Sequence, residues 1–203
     1  MTTITYGIFA EDEANKIFMQ HAVPQLVSHL GYGGKVTFHH QSDFTSMATA
    51  KNGEYVFDNF IMFISNGIKY FSLDLCFVGL DADDHGHSTK YGDMQKELVA
   101  NNLQDRGLIF IPVQAIEYWL WYLKVKNENP HQLSTLPIEA SSRQELKKWV
   151  YNRKKPTNKK SNPLVTGLSQ NIDFEWLNQH SSSFKHFFDL FKDYLISKFG
   201  ANP

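Results

Sequence analysis

The run Cys76-Phe77-Val78-Gly79-Leu80 breaks off on Asp81-Ala82-Asp83-Asp84, and this pattern restricts the fold more than any other in the chain. An uninterrupted apolar stretch suits a strand covered on both faces, as in a parallel sheet clad with helices. Ligands of such sheets gather beyond the carboxyl ends of the strands. The pattern therefore predicts Asp81, Asp83 and Asp84 at that edge. Two unit charges about 4 Å apart repel by roughly 4 kcal/mol at an effective dielectric of about 20, so the cluster requires a counter-ion. A hard divalent cation, Mg²⁺ or Mn²⁺, suits such an all-oxygen donor set. The structural alternative is that the aspartates only make a turn and cap the next helix. A calcium loop of the EF-hand kind fits less well. Asp81, Asp83, His85 and Gly86 match its opening, but Gly92 stands where its closing Glu belongs, and a strand precedes it instead of a helix.

A second apolar segment, Ile4 to Ala10, is β-branched and aromatic and stops on Glu11-Asp12-Glu13, so two strands offer acids at their ends. Helical spacing of Ile17, Phe18, Ala22, Leu26, Val27 and Leu30 predicts a helix from Ala14 to Leu30, ended by Gly31, with Pro24 able to kink or split it. Lys35 to His40 reads as a short strand, Asp43 to Gly53 as a polar connection, and Phe57 to Ile64 as a short buried helix before an Asn66-Gly67 turn. His39 and His40 are adjacent on a strand and point to opposite faces, which argues against one shared metal ion. His85 to Thr89 reads as a loop, Asp93 to Asn102 as a helix and Leu108 to Val113 as a buried strand. The alternation predicts an α/β fold with a parallel sheet and right-handed crossovers.

Gln114 to Leu123 is an apolar helix with one acid, Glu117, which either uses the helix dipole at the first turn or faces the same site as the aspartates. Asn127 to Ala140 is loop-like, and Ser142-Arg143-Gln144-Glu145 opens a helix to about Tyr151 with a capping box. The strongest basic run follows: Arg153, Lys154, Lys155, Lys159 and Lys160. It is a solvated loop or a contact for substrate phosphates. The chain closes on a helix whose stripe of Phe184, Phe187, Phe188, Phe191, Tyr194, Leu195 and Phe199 belongs to a core.

At 203 residues and 42% hydrophobic content the chain can bury a full core. The organisation expected is a catalytic core over residues 1–126 with a helical C-terminal extension over 127–203 packed on it. A formal charge of −1 supplies no global attraction to polyanions, so nucleic-acid binding needs a local patch. Cys76 is the only cysteine and sits in the apolar run, which excludes a disulfide framework and makes a core role the better reading. No leader-like segment and no bilayer-length apolar run is evident, so a cytoplasmic protein without membrane association is expected.

Taken together, these motifs resemble the Toprim domain, the metal-dependent catalytic fold of topoisomerases, primases and the overcoming-lysogenization-defect nucleases. Its Glu after the first strand is matched by Glu11, and its Asp-x-Asp after a later strand by Asp81 and Asp83. The chain is similar in particular to small bacterial Toprim-like proteins, including the RloB-like group. These carry an apolar Glu-x-Trp-Leu-Leu helix after the fourth strand and a Ser-x-Ser-Phe start to the last helix. Glu117-Tyr118-Trp119-Leu120-Trp121 and Ser181-Ser182-Ser183-Phe184 match them. Two positions depart from the pattern: Asp12 replaces a Gly, and Asn15 replaces a second acid for which Glu13 is the nearest substitute.

The resemblance implies a Toprim-like Rossmannoid sheet and a Mg²⁺-dependent nuclease acting on DNA or RNA, often in bacterial phage defence beside an ATPase. Glu11 would then move a proton or position water, and Glu11, Asp81, Asp83, Asp84 and Glu117 would supply the metal's ligands. Two alternatives stand beside it. One is a catalytically degenerate Toprim module acting as sensor or assembly partner. The other is a metal-nucleotide-dependent transferase, although no glycine-rich phosphate loop precedes a helix.

Overall fold

A computed structural model of the chain describes residues 1–82, 86–128, 142–153 and 155–201. Asp83, Asp84, Lys154 and the expected connection up to Ala140, from residue 129 on, lie outside the described residues. Within them four strands, β1 (Thr2–Ala10), β2 (Val36–His40), β3 (Leu75–Gly79) and β4 (Gly107–Phe110), form one all-parallel sheet in the order β2-β1-β3-β4. No described helix is long and apolar enough to cross a membrane.

Strand alternation sorts the apolar residues onto two faces, and both faces are covered. Ile8, Ala10, Leu75, Phe77, Leu108 and Phe110 join one core, with residues of α1 (Glu13–His29), α5 (Glu117–Glu128), α6 (Arg143–Tyr151), α7 (Asn158–Ser169), α8 (Phe174–His180) and α9 (Ser182–Phe199). Phe9, Cys76, Val78 and Ile109 join the other, with residues of α2 (Ser42–Met47), α3 (Gly53–Phe71) and α4 (His87–Ala100). Cys76 is thus a core side chain, and burial pushes its thiol pKa up. The aromatic stripe of α9 meets the sheet directly: Phe191 lies 5.6 Å from Phe77 and Phe187 6.0 Å from Phe110, centroid to centroid. Residues 142–201 therefore complete the core over one sheet face.

Several local expectations are corrected. The polar connection over residues 43–53 contains α2, whose Phe44 is buried. The expected turn at Asn66-Gly67 lies inside α3, which runs unbroken to Phe71. Gly67 is there for packing, since a Cβ at this position would sit 2.6 Å from Leu73 Cδ1 and 3.0 Å from the Phe44 ring. Pro24 does not split α1. Helix α4 starts at His87, within the expected loop, and the last strand ends at Phe110. Gln114 has φ +62°, outside the helical range, so α5 starts only at Glu117. Lys159 and Lys160 sit in the first turn of α7, where Pro163 and Gly167 mask a helical pattern in the sequence.

Gly67→Ala tests the packing role. Helix propensity alone favours Ala by about 1 kcal/mol, yet overpacking against Leu73 and Phe44 is expected to give a net loss of about 1–3 kcal/mol in denaturant unfolding. A stabilised variant would show that Gly67 tolerates a side chain and is not held by this contact.

Candidate functional site

The neighbouring strands β1, β3 and β4 end level. Ala10 pairs with Gly79, the Glu11 amide donates to the Gly79 carbonyl at 2.9 Å, and the Ala82 amide donates to the Pro112 carbonyl at 3.0 Å. This carries Glu11, Asp81 and the start of α5 to one edge of the sheet. Glu11 Oε2 accepts the backbone N–H of Asp81 at 3.0 Å. Asp81 has no exposed surface, and its Oδ1 accepts the Ile116 amide at 3.2 Å and Asn15 Nδ2 at 3.5 Å. Asp81 thereby satisfies an amide at the mouth of α5, the role otherwise open to Glu117. Glu117, also buried, pairs with Lys147 Nζ at 3.7 Å through Oε1.

Asp12 caps α1, its Oδ1 accepting both the backbone N–H (3.0 Å) and Nδ2 (3.1 Å) of Asn15. The cation at the centre is Arg143, the first residue of α6. Its guanidinium lies 2.9 Å from Asp81 Oδ2, 3.4 Å from Glu11 Oε1 and 3.8 Å from Asp12 Oδ2. Lys90 of α4 donates from Nζ to the backbone carbonyl of Asp81 at 3.0 Å.

The start of α5 is fixed from the other side as well. Ser181 caps α9, accepting the Phe184 amide at 3.1 Å. Ser183 Oγ accepts Trp119 Nε1 at 3.0 Å and the Val113 amide at 3.3 Å. The Glu-x-Trp and Ser-x-Ser-Phe segments are therefore joined by a hydrogen bond, which sets the position of the helix that carries Glu117.

Burial pushes the Asp81 carboxyl well above the usual carboxylate range, and the charges of Asp12, Glu11 and Glu117 add to this while Arg143 opposes it. Burial also raises Glu117, against the pull of Lys147. The phenol of Tyr151 is pushed up by burial and then by the carboxylates of Glu117, Asp12 and Asp81. The edge is thus an excess of negative charge in a poorly hydrated place.

An open cleft of about 940 Å³ adjoins this edge, lined among others by Glu11, Gly53, Glu54, Lys90, Asp93 and Arg143. Gly53 allows α3 to start against Glu11, since a Cβ there would lie 2.9 Å from Glu11 Oε2.

Glu11, Asp81 and Glu117 are thus brought together, while Asp83 and Asp84 lie outside the described residues. Glu13 is exposed and does not take the place of the missing acid; Asp12 stands nearer. Arg153, Lys155, Lys159 and Lys160 are exposed, and no ion pair ties them to these acids. His39 and His40 do not act as a pair, because both ring nitrogens of His40 are engaged, with Gln20 Nε2 at 3.0 Å and Thr45 Oγ1 at 2.9 Å.

The residues that sequence reasoning missed are cations and donors: Arg143, Lys147, Lys90 and Asn15. One signal was available. Arg143, Lys147 and Tyr151 recur every four residues on α6 and so share a face.

A divalent cation fits these donors in chemistry. Glu117 Oε2 and Asn15 Oδ1 are buried oxygens with no hydrogen-bond partner among the described residues, Asp81 Oδ2 is buried against the Arg143 guanidinium, and hard cations of the Mg²⁺ type take oxygen ligands. As placed, no three described His, Cys, Asp or Glu side chains could hold a metal ion, and the guanidinium of Arg143 stands between Glu11, Asp12 and Asp81. No family model, curated protein or solved structure matches the chain, so the site is read from its own geometry.

The raised pKa of Glu117 has a testable sign. Such a group contributes stability below its unfolded value, near 4.5, that is lost as pH rises toward the folded value. Glu117→Gln, which is uncharged throughout, is therefore expected to gain stability relative to wild type as pH rises above that point and to match it in acid. Denaturant unfolding across pH checks this, and a pH-independent difference would place Glu117 in an ordinary, well-solvated setting.

Proposed function

We propose that this chain is a Mg²⁺-dependent nuclease of the Toprim-like type, hydrolysing phosphodiesters of DNA or RNA, with an ATPase partner in bacterial phage defence as its setting. The observation that carries this reading is the convergence of Glu11, Asp81 and Glu117, from three neighbouring strand ends, on one edge beside an open cleft. Ligands of open parallel sheets bind at that edge.

Glu11, Asp81 and Glu117, with Asp83 and Asp84 next along the chain, would hold Mg²⁺ or Mn²⁺. Bound there, such a cation polarises a phosphoryl oxygen and stabilises charge on the leaving oxygen. The chain's own groups do the rest. Glu11 keeps Oε2 on the Asp81 amide, which orients the carboxylate, and reaches the cleft, where it can position water or accept its proton. Lys90 and Arg143 are the cations that line the cleft, beside the acids Glu11, Glu54 and Asp93, and would be the groups that meet a phosphate there. Arg153, Lys154, Lys155, Lys159 and Lys160 would extend that contact along the nucleic-acid backbone.

A second reading is a degenerate module acting as sensor or assembly partner, and one observation favours it. Arg143 already stands among the acids where a cation would sit, with Asn15 in place of a further carboxylate.

Glu11→Gln and Asp81→Asn separate these readings. Each is expected to lower Mg²⁺-dependent cleavage of DNA or RNA by about 10² to 10⁴-fold, the scale on which a general base acts, while the chain stays folded. Wild-type protein that folds yet cleaves neither polymer in Mg²⁺ or Mn²⁺ would leave the degenerate module. Replacing Arg153, Lys155, Lys159 and Lys160 with Ala is expected to flatten the salt dependence of duplex binding, by about 0.9 in slope per lost phosphate contact. An unchanged slope returns the run to a solvated surface.

A further inference from the structure

We infer that Arg143 is the substrate-phosphate residue of this cleft, held by Glu11, Asp12 and Asp81 until a divalent cation takes its place among them. The inference rests on the nuclease reading above. Its ground is that the guanidinium meets the oxygens that would ligate the cation, at 2.9 Å from Asp81 Oδ2 and 3.4 Å from Glu11 Oε1.

The two occupants exclude one another. A Mg²⁺-type ion draws its oxygens to about 2.0–2.1 Å, and its charge repels a guanidinium about 4 Å away by roughly 8 kcal/mol at an effective dielectric of about 20. Binding the ion therefore requires Arg143 to leave.

The cleft lies beside it. Arg143 is the first residue of α6, its side chain is 31% exposed, and it lines the cleft together with Lys90. Turning about its own side-chain torsions moves the charge into the cleft without disturbing the buried Leu146 and Val150, which anchor α6. A guanidinium released there needs an anion, and its planar fork of donors matches two oxygens of a phosphate, which an ammonium cannot do in one geometry. Lys90 stays on the Asp81 carbonyl and marks the neighbouring side of the same phosphate position.

Metal and nucleic acid are then coupled. The ion frees Arg143 for phosphate, and phosphate holds Arg143 away from the acids, so each raises the affinity of the other by the same factor. A guanidinium that served only as a structural clamp would add nothing to the coupling that the cation's own contact with a phosphoryl oxygen supplies.

The test uses the full chain, with Mn²⁺ alone and a short phosphorothioate-linked DNA duplex as probes. Mn²⁺ affinity is read by calorimetry and by the upward shift of the unfolding temperature, so that no turnover is needed. In wild type, Mn²⁺ is expected to tighten duplex binding by about 5- to 150-fold, the usual range of coupling. Arg143→Gln is expected to bind Mn²⁺ alone more tightly than wild type and to show a smaller coupling, because only the cation's own contact with phosphate remains. Arg143→Lys keeps a charge but not the fork. It is expected to fold, to bind Mn²⁺ more tightly than wild type, and to show weakened coupling, and it decides the matter where the Gln variant does not fold. Variants that bind Mn²⁺ no better than a Mn²⁺-binding wild type overturn the role of Arg143 and leave the nuclease reading in place. A folded wild type and variants that bind no Mn²⁺ overturn both.

Discussion

Asp81 is a carboxylate with no exposed surface where the strand ends meet the C-terminal helices, and much of the tertiary arrangement compensates it. An ion taken out of water costs several kcal/mol even after relaxation, and removing the partner of a buried pair costs about 3–5 kcal/mol. Local residues supply only part of the answer: Asn15 donates one hydrogen bond and the start of α5 another. The opposing charge comes from Arg143, beyond the sheet. Helix α6 therefore docks for an electrostatic reason as well as through the apolar contacts of Leu146 and Val150. The fold over residues 142–201 and the chemistry of the edge are bound to one another.

The same docking gives the site its geometry. A carboxylate on a mobile loop would wander, whereas Glu117 opens a helix held by Ser183 Oγ on one side and by Asp81 Oδ1 on the other. Glu11 is fixed by the Asp81 amide, one residue beyond the paired end of β1. Positions set by a sheet, a helix start and a capped final helix suit a site whose ligands must be held to a fraction of an ångström.

What was legible in the sequence follows from how local each signal is. The doubly covered strands could be read because burial on both faces leaves an unbroken apolar run, and their acidic ends could be read because the acids are adjacent in sequence. The start of α6 was legible because Ser142 does accept the Glu145 amide, at 3.5 Å. Where two mechanisms compete for one residue type the reading failed. Gly67 looks like a turn and is a packing glycine, and Pro163 with Gly167 hides α7. The role of Arg143 was out of reach, because its partners Glu11 and Asp81 lie far away in sequence and no periodicity links them. The basic run drew attention by density, yet no ion pair joins its described residues to the acids.

An amide at position 15, and not an acid, makes sense in the same electrostatic terms. Glu11, Asp12, Asp81 and Glu117 are four carboxylates at one edge, and among the described residues the cationic side chains paired with them are Arg143 and Lys147. A fifth carboxylate at position 15 would widen that imbalance where water cannot screen it. The amide instead donates to both Asp12 and Asp81, which a carboxylate cannot do. Burial first, and then the remaining excess of negative charge, raises Asp81 and Glu117 above the usual carboxylate range, where a proton is the simplest cation that can relieve both. A divalent cation would relieve the same excess with two charges at one point. The edge is thus shared between protons and the guanidinium of Arg143, and on the nuclease reading a metal ion would compete for the same oxygens.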